Sequence, residues 1–356
     1  MFDKRVILYS FTKTGSRQQL SLMEYMKESG IDCRGYTLER FIDSSELLPL
    51  QKNWKEELGN YWGAYAFVFI GATGIAVRAI APYVKDKFSD SPIVVLDERG
   101  QFVIPLLSGH MGGAVELSEF ISSYTGGISI ITTATDVQKK FAVDVFAKKN
   151  DLFISNRFLA KKISADILEG KKVGFYSKFE IMGEIPKELV VCSNLQELEK
   201  FEHAICISQT KIDEVGNHIL LLLPRNLSLG IGCRKGVPFE HIKEQLEKVL
   251  MQRKIMKEQI CEMGSIDLKK EEQGLLDLAD YLNISFYTFS AEELRETGTV
   301  ENTSDFVKSV TGVDNVCERA AKKLCEKGEV FQAKICMDRI TIALVKAEKK
   351  IYIYKK

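Results

Sequence analysis

The chain is 356 residues long, 45% of them hydrophobic, and its 49 basic side chains are matched by 49 acidic ones. That length exceeds one ordinary core and suits two or three domains; balanced charge argues against a polycation made for nucleic acid or a membrane surface, leaving room only for local basic patches. The longest apolar runs, AYAFVFIGA and HILLLLP, are strand-sized and far short of a bilayer span, and MFDKRVILYS leads directly into a strand with no signal-peptide core, so a soluble cytoplasmic protein is expected.

In chain order, RVILYS reads as a strand followed by a helix over 16–29, and AYAFVFIG as a strand followed by a helix over 74–84. PIVVLD and FVIPLL are further strands, then come a helix over 114–124 and the strand ISIITT. Continuous apolar strands between helices predict a mainly parallel sheet covered on both faces. The pattern loosens in ATDVQKKFAVDVFAKKND, which places a boundary near 138. Beyond it lie the helix FLAKKISADILEG and the short strands KKVGFYS, LVVC, HAICIS and HILLLLP, a stretch whose expected job is packing or spacing.

A second boundary falls near 225. LSLGIGC then reads as a strand, VPFEHIKEQLEKVLMQRK as a helix, QICEMGSI as a strand, LKKEEQGLLDLADYL as a helix and SFYTFS as a strand. Helices over 291–296, 305–311 and 316–327 follow, and FQAKICMDRITIALVKAE closes the chain as a hairpin around Met337, Asp338 and Arg339. The expected architecture is α/β and multi-domain. A layered N-terminal domain with a mainly parallel sheet spans 1–138, a small middle α/β domain 139–225, and a layered C-terminal α/β domain 226–356.

Eight cysteines, at 33, 192, 206, 233, 261, 317, 325 and 336, include no CxxC pair, and several sit in apolar strand patterns. They read as buried thiols, not as disulfides or a zinc knuckle. No HExxH or other metal-ligand cluster occurs, so no protein-bound metal is expected.

One construction recurs in FIGATGIAVRAIAPYV, PLLSGHMGGAVELSEF and LGIGCRKGVPFEHIKEQL: a buried strand, a glycine-rich loop, then a helix. Glycine permits close backbone approach, and a helix amino end offers N–H groups and a positive dipole end, which together suit a phosphate or carboxylate. Any one such loop is an ordinary short connection. Their repetition, with Arg78, His110, Arg234 and Lys235 in or beside them, points to a ligand with several negative groups whose loops converge in one place. Familiar nucleotide signatures are not met: GIGCRKG has one residue too many for GxGxxG and lacks the hydroxyl residue after GK. SFTKTGS after the first strand has the look of a flavodoxin phosphate loop, and a flavoprotein is one alternative.

Hydrolase chemistry has its own candidates. HMGG is like an esterase oxyanion loop, but no GxSxG elbow accompanies it. Ser108, His110 and Asp97 could assemble a triad; a histidine titrates near neutral pH and suits proton transfer. Asp97 and Glu98 end a strand, where paired carboxylates can yield a base, although DERG is also good turn chemistry. Thr132, Thr133 and Asp136 end another strand and either bind ligand oxygens or cap a helix.

Read together, GATGIAVRAIAP, VVLDERGQFVIPLLSGHMGGA, ITTATD, LGIGCRKG, SIDLKKEEQGL, TGVDNVCERAA and the Lys334 strand resemble the cobalt-precorrin-5A hydrolase family of anaerobic cobalamin biosynthesis. The likeness covers both end domains in order, and the middle domain by position. It implies an enzyme that opens the ring A δ-lactone of a cobalt corrinoid and releases acetaldehyde to give cobalt-precorrin-5B. The cobalt then arrives with the substrate and no cofactor is needed. The C-terminal part also resembles a small protein that stands alone in the aerobic cobalamin route. Partners implied are the corrinoid substrate and neighbouring pathway enzymes, with no nucleic acid and no membrane; a corrinoid-binding or channelling protein without catalysis is the main alternative.

The resemblance does not assign individual roles. On their own chemistry, His110 or the Asp97–Glu98 pair is the expected base, with amides near Gly112 and Gly113 as oxyanion donors. Arg78, Arg234, Lys235 and Lys269 are the expected partners of substrate carboxylates. Thr73, Gly74, Ser108, Gly109, Thr132, Thr133, Asp136, Gly232, Glu272 and Lys334 complete the expected binding surface.

Overall fold

Arg5 is exposed and the five residues after it are buried, so RVILYS enters the centre of a sheet within one residue. The structure is a computed structural model that describes residues 5–86, 89–110, 112–213, 216–300, 303, 309 and 311–353. The expected helix over 305–311 lies almost wholly outside the described residues. The chain divides into two compact units, Met1–Lys140 and Phe141–Lys356. No helix among the described residues is long and apolar enough to cross a membrane.

The first unit contains β1 (Arg5–Ser10), α1 (Lys13–Glu28), β2 (Cys33–Thr37), β3 (Leu47–Pro49), α2 (Trp54–Asn60), β4 (Tyr65–Ile70) and α3 (Thr73–Ile80). It continues through β5 (Ile93–Leu96), β6 (Phe102–Leu107), α4 (Ala114–Thr125), β7 (Ile128–Ser129) and α5 (Ala134–Val137). The sheet order is β3-β2-β1-β4-β5-β6-β7. Alternation along β1 divides the core: Val6 and Leu8 face Leu22, Met26, Leu117 and Ile121 of α1 and α4, whereas Ile7 and Tyr9 face Leu58, Ala76 and Ile80 of α2 and α3. Both faces are covered, as the apolar strands require.

Two expectations change here. The strand ISIITT shrinks to Ile128–Ser129 at the sheet edge, where Ile128 is 61% exposed and has only β6 to pair with. More consequential, β5 and β6 are antiparallel, with Ile93 opposite Leu107 and Leu96 opposite Val103, while every other pair in this sheet is parallel. The short link 97–101 between them is a hairpin, too short for the crossover that parallel strands need.

The second unit begins with α6 (Val143–Lys149), β8 (Leu152–Ile154), α7 (Arg157–Glu169), β9 (Val173–Ser177), β10 (Ile181–Met182), β11 (Leu189–Val191), α8 (Leu195–Leu198), β12 (Ala204–Ile207) and β13 (Ile219–Pro224). It goes on with β14 (Leu227–Cys233), α9 (Phe239–Gln252), β15 (Ile260–Ile266), α10 (Gln273–Leu282), β16 (Ser285–Phe289) and α11 (Ala291–Arg295). It closes with α12 (Val316–Leu324), β17 (Glu329–Met337), β18 (Ile340–Lys346) and β19 (Ile351–Tyr352). Its two five-stranded sheets have the orders β11-β9-β12-β13-β8 and β16-β15-β14-β18-β17.

Position 225 falls between these sheets, inside one compact unit, and the last strand is one of the ties across it. After β18 the chain returns to pair β19 with β10, and it buries Ile351 and Ile353 in the core built on β9, β12 and β13. Asn150 donates to the Tyr352 carbonyl at 2.9 Å and accepts from its N–H at 2.7 Å, and Asn226 donates to the Ala347 carbonyl. The hairpin of β17 and β18 forms where expected, with Arg339 left-handed at φ 69° in its turn.

Candidate active site

Reversal of β6 decides where the glycine loops of the first unit open. The loop after β4 (Gly71 and Ala72) and the turn after β5 lie at the carboxyl edge of the parallel strands, joined by the Gly71 N–H donating to the Leu96 carbonyl. The loop Ser108–Gly109–His110 follows β6, whose last residue stands opposite the first residue of β5. It therefore opens at the other edge, roughly four residues or about 13 Å away along the strand. The expectation that 71–78 and 108–113 form one surface is corrected on that ground, and Asp97 does not share a site with His110.

At the carboxyl edge the candidates serve mainly local structure. Asp97 accepts from the Arg99 N–H at 2.8 Å and from the Phe102 N–H at 2.7 Å, so both oxygens cap the hairpin turn that half-buried Glu98 shares. Arg78 is exposed and donates to the Gly74 carbonyl at 3.0 Å, lying back over the first turn of its own helix, which begins at Thr73. Thr12 accepts from the Gly15 N–H as the N-cap of α1. That cap engages one of the four hydroxyls of SFTKTGS, the stretch that has the look of a phosphate loop.

The opposite edge gathers the reactive groups. His110 Nε2 lies 3.0 Å from Asp136 Oδ2, the two side chains only 14% and 20% exposed. Ser108 is a non-glycine residue at φ 54° whose hydroxyl is buried and has no partner among the described residues. Left-handed non-glycine residues are uncommon and cluster at functional sites. Gly112 packs against it so closely that a Cβ there would stand 2.4 Å from Ser108 Cβ, and Gly113, left-handed at φ 96°, leads into α4. The loop is tied down where the Ser108 and Gly109 carbonyls accept from the Ala114 and Val115 N–H groups. Thr133 approaches Gly109 and precedes the single turn that carries Asp136; Thr132 is exposed. Sequence reasoning placed Asp136 among ligand binders and missed it as the partner of His110; the only signal was an acidic residue three places after a helix cap.

In the second unit the strands β14, β15 and β16 run parallel, so the loops after them meet at one carboxyl edge, and the β17–β18 turn joins them there. Lys269 Nζ lies 2.9 Å from Glu272 Oε2, and Glu272 also accepts from the Gly236 N–H at 2.5 Å. Burial alone would raise the Glu272 pKa. The Lys269 and Gly236 hydrogen bonds, with Lys235 nearby, outweigh it and hold the carboxyl below its ordinary value. The glycine loop expected to take a ligand anion is thus partly filled by the chain's own carboxylate. The Arg234 N–H donates to the Arg339 carbonyl, and the Lys334 N–H on β17 lies 3.4 Å from Glu318 Oε2 in the first turn of α12. Gly232, Arg234, Lys235, Lys269 and Glu272 are brought together.

Among the described residues, one His/Asp/Glu group has ligand atoms close enough for a metal: Asp166, Glu202 and His203, all within 4.8 Å of one another. Lys171 Nζ sits 3.1 Å from both Asp166 and Glu202, so an ammonium takes the cation's place. Of the cysteines, Cys33, Cys192, Cys206 and Cys317 are buried, whereas Cys336 is exposed, a correction to its reading as a strand-buried thiol. Desolvation pushes Cys206 and Cys317 up to about 12, which leaves them unreactive thiols.

Three family models match in succession: cobalamin synthesis G N-terminal over 56–136, cobalamin biosynthesis central region over 141–224, and cobalamin synthesis G C-terminus over 227–345. A cobalt-precorrin-5A hydrolase of Salmonella typhimurium is 37% identical over 285 residues, covering 78% of this chain and 81% of its own. Another from Priestia megaterium is 32% identical over 266 residues, 71% of each chain. The solved structure of a cobalamin biosynthesis protein G homologue from Sulfolobus solfataricus aligns over 97% of both chains at 23% identity, with a TM-score of 0.43. Matched in order across both compact units and more than one third identical to a relative over most of either length, the chain belongs to the cobalt-precorrin-5A hydrolase (cobalamin synthesis G) family.

Proposed function

We propose that the chain is a cobalt-precorrin-5A hydrolase of the cytoplasm: it adds water across the ring A δ-lactone of the cobalt corrinoid and then releases acetaldehyde, leaving cobalt-precorrin-5B. The observation that carries this is the 37% identity with a cobalt-precorrin-5A hydrolase over 285 residues. Cobalt enters and leaves as part of the substrate, which neighbouring enzymes of the pathway supply and remove.

Lactone opening needs an activated water, donors for the developing oxyanion and a proton for the departing oxygen. In the first unit, His110 is the candidate base, and of the alternative Asp97–Glu98 pair both Asp97 oxygens are committed to a turn. Once the ring is open, the freed hydroxyl loses its proton as its carbon becomes the aldehyde carbon. The electron pair of the breaking carbon–carbon bond passes into the macrocycle, which takes up a proton. In the second unit, Arg234, Lys235 and Lys269 suit the peripheral carboxylates of such a substrate. Incubating the purified chain with cobalt-precorrin-5A and trapping acetaldehyde tests the reading. Stoichiometric aldehyde with loss of the lactone supports it; binding of the corrinoid without aldehyde would make the chain a carrier.

A further inference from the structure

We propose that Arg339, in the β17–β18 turn, forms with Arg234 a two-arginine clamp on one peripheral carboxylate of the corrinoid; this rests on the hydrolase reading above and adds a residue to its binding surface. The two arginines are far apart in sequence and meet only through the sheet. β14 and β18 pair antiparallel as far as Cys233 opposite Ile340. One residue further on, the Arg234 N–H donates to the Arg339 carbonyl at 2.9 Å. Residues opposite one another in this way are cross-strand neighbours, and like charges so placed repel.

Among the described residues nothing relieves that repulsion. Both arginines are exposed, and neither guanidinium has an ion pair or a side-chain hydrogen bond there. The carboxylates bonded into the two loops have other partners. Glu272 is held by Lys269 and the Gly236 N–H, and Asp338 Oδ2 lies 3.2 Å from His241 Nε2. Two cations kept side by side without an anion of the chain's own mark a place for an anion that arrives with a ligand.

The turn is also a costly place for a long side chain. Arg339 is left-handed at φ 69°, a conformation that glycine adopts freely and asparagine tolerates. Its backbone is held from a second side, because His241 Nε2 on α9 lies 3.1 Å from the Asp338 carbonyl oxygen. Two guanidiniums on fixed backbone offer a carboxylate forked donors from both sides, which a lysine ammonium does not. A carboxylate between them replaces like-charge repulsion with charge-assisted hydrogen bonds.

The test uses the full chain and cobalt-precorrin-5A, with corrinoid absorbance for binding, acetaldehyde release for turnover and a urea midpoint for folding. Arg339→Gly deletes the side chain while suiting the left-handed turn. It is expected to weaken binding by about 10-fold or more, with kcat at saturation within about threefold and the midpoint close to wild type. Because both arginines hold one carboxylate, Arg234→Ala/Arg339→Gly is expected to lose less affinity than the product of the two single losses. Arg339→Lys keeps the charge without the fork and is expected to recover only part of the affinity. Wild-type affinity in Arg339→Gly or in Arg339→Lys, a loss confined to kcat, or single losses that multiply in the double variant would each overturn the clamp. If Arg339→Gly does not fold, Arg339→Asn carries the same test with the same outcomes. A wild type that binds the corrinoid but releases no acetaldehyde overturns the hydrolase reading alone, since the clamp is read by binding; a wild type that does not bind it overturns both.

Discussion

Gly230 on β14 faces the backbone of α12 so closely that a Cβ at this position would stand 1.7 Å from the Cys317 carbonyl oxygen. The first glycine of LGIGC is therefore a packing residue that lets helix and strand backbones touch, and its use in the loop motif is indirect. Gly230→Ala must push α12 off the sheet, and the backbone oxygen has no rotamer with which to retreat. A loss of about 1–3 kcal/mol or more is expected, read as a lower midpoint in urea, with damage greatest at α12 by hydrogen exchange.

Glu272 links the Gly236 amide to Lys269. Its folded pKa is depressed below the ordinary carboxylate value of about 4.3, so it contributes stability above that pH and loses the contribution as pH falls through the lower folded value. Glu272→Gln is expected to cost about 1–2 kcal/mol at neutral pH. The gap from wild type should shrink as pH falls through the lower folded value, where the wild-type carboxylate itself becomes protonated. Melting curves for the two proteins between pH 7 and pH 3 check the sign.

Arg234 and Lys235 stand beside that latch at the carboxyl edge of the second unit's sheet. If they hold substrate carboxylates, Arg234→Ala/Lys235→Ala should raise KM by about 10-fold or more while kcat at saturation stays within about threefold. A large fall in kcat at saturating substrate would place them in the chemistry instead.

Asp97 caps the β5–β6 turn with both oxygens and lies at the edge opposite His110. Asp97→Ala should therefore lower stability by about 1–2 kcal/mol through the two lost hydrogen bonds. Turnover of the folded protein should stay within about threefold of wild type. Parallel measurements of melting temperature and acetaldehyde release separate the two effects.

Legibility in the sequence followed burial. RVILYS, AYAFVFIG, HILLLLP and LSLGIGC announce strands because every residue in a doubly covered sheet must be apolar or small. The mixed strand Cys33–Thr37 and the three-residue strand Leu47–Pro49 carry no apolar run of that length and went unread. The glycine loops were visible as loops, but their service was not. Gly230 for helix contact, Gly236 for Glu272 and Gly112 for Ser108 look alike in one dimension.

What the sequence determined by itself was the alternation of apolar strands and amphipathic helices, the family signature carried by its ordered motifs, and a set of polar residues too specific for a plain core. Only the tertiary structure decided which of those residues meet. The reversal at β6, shared by its parallel neighbour β7, sends Ser108 and His110 to the edge opposite Asp97 and brings Asp136 to the histidine. Strand direction is settled by pairing between segments far apart or tightly turned, and side-chain alternation within a strand is the same whichever way it runs.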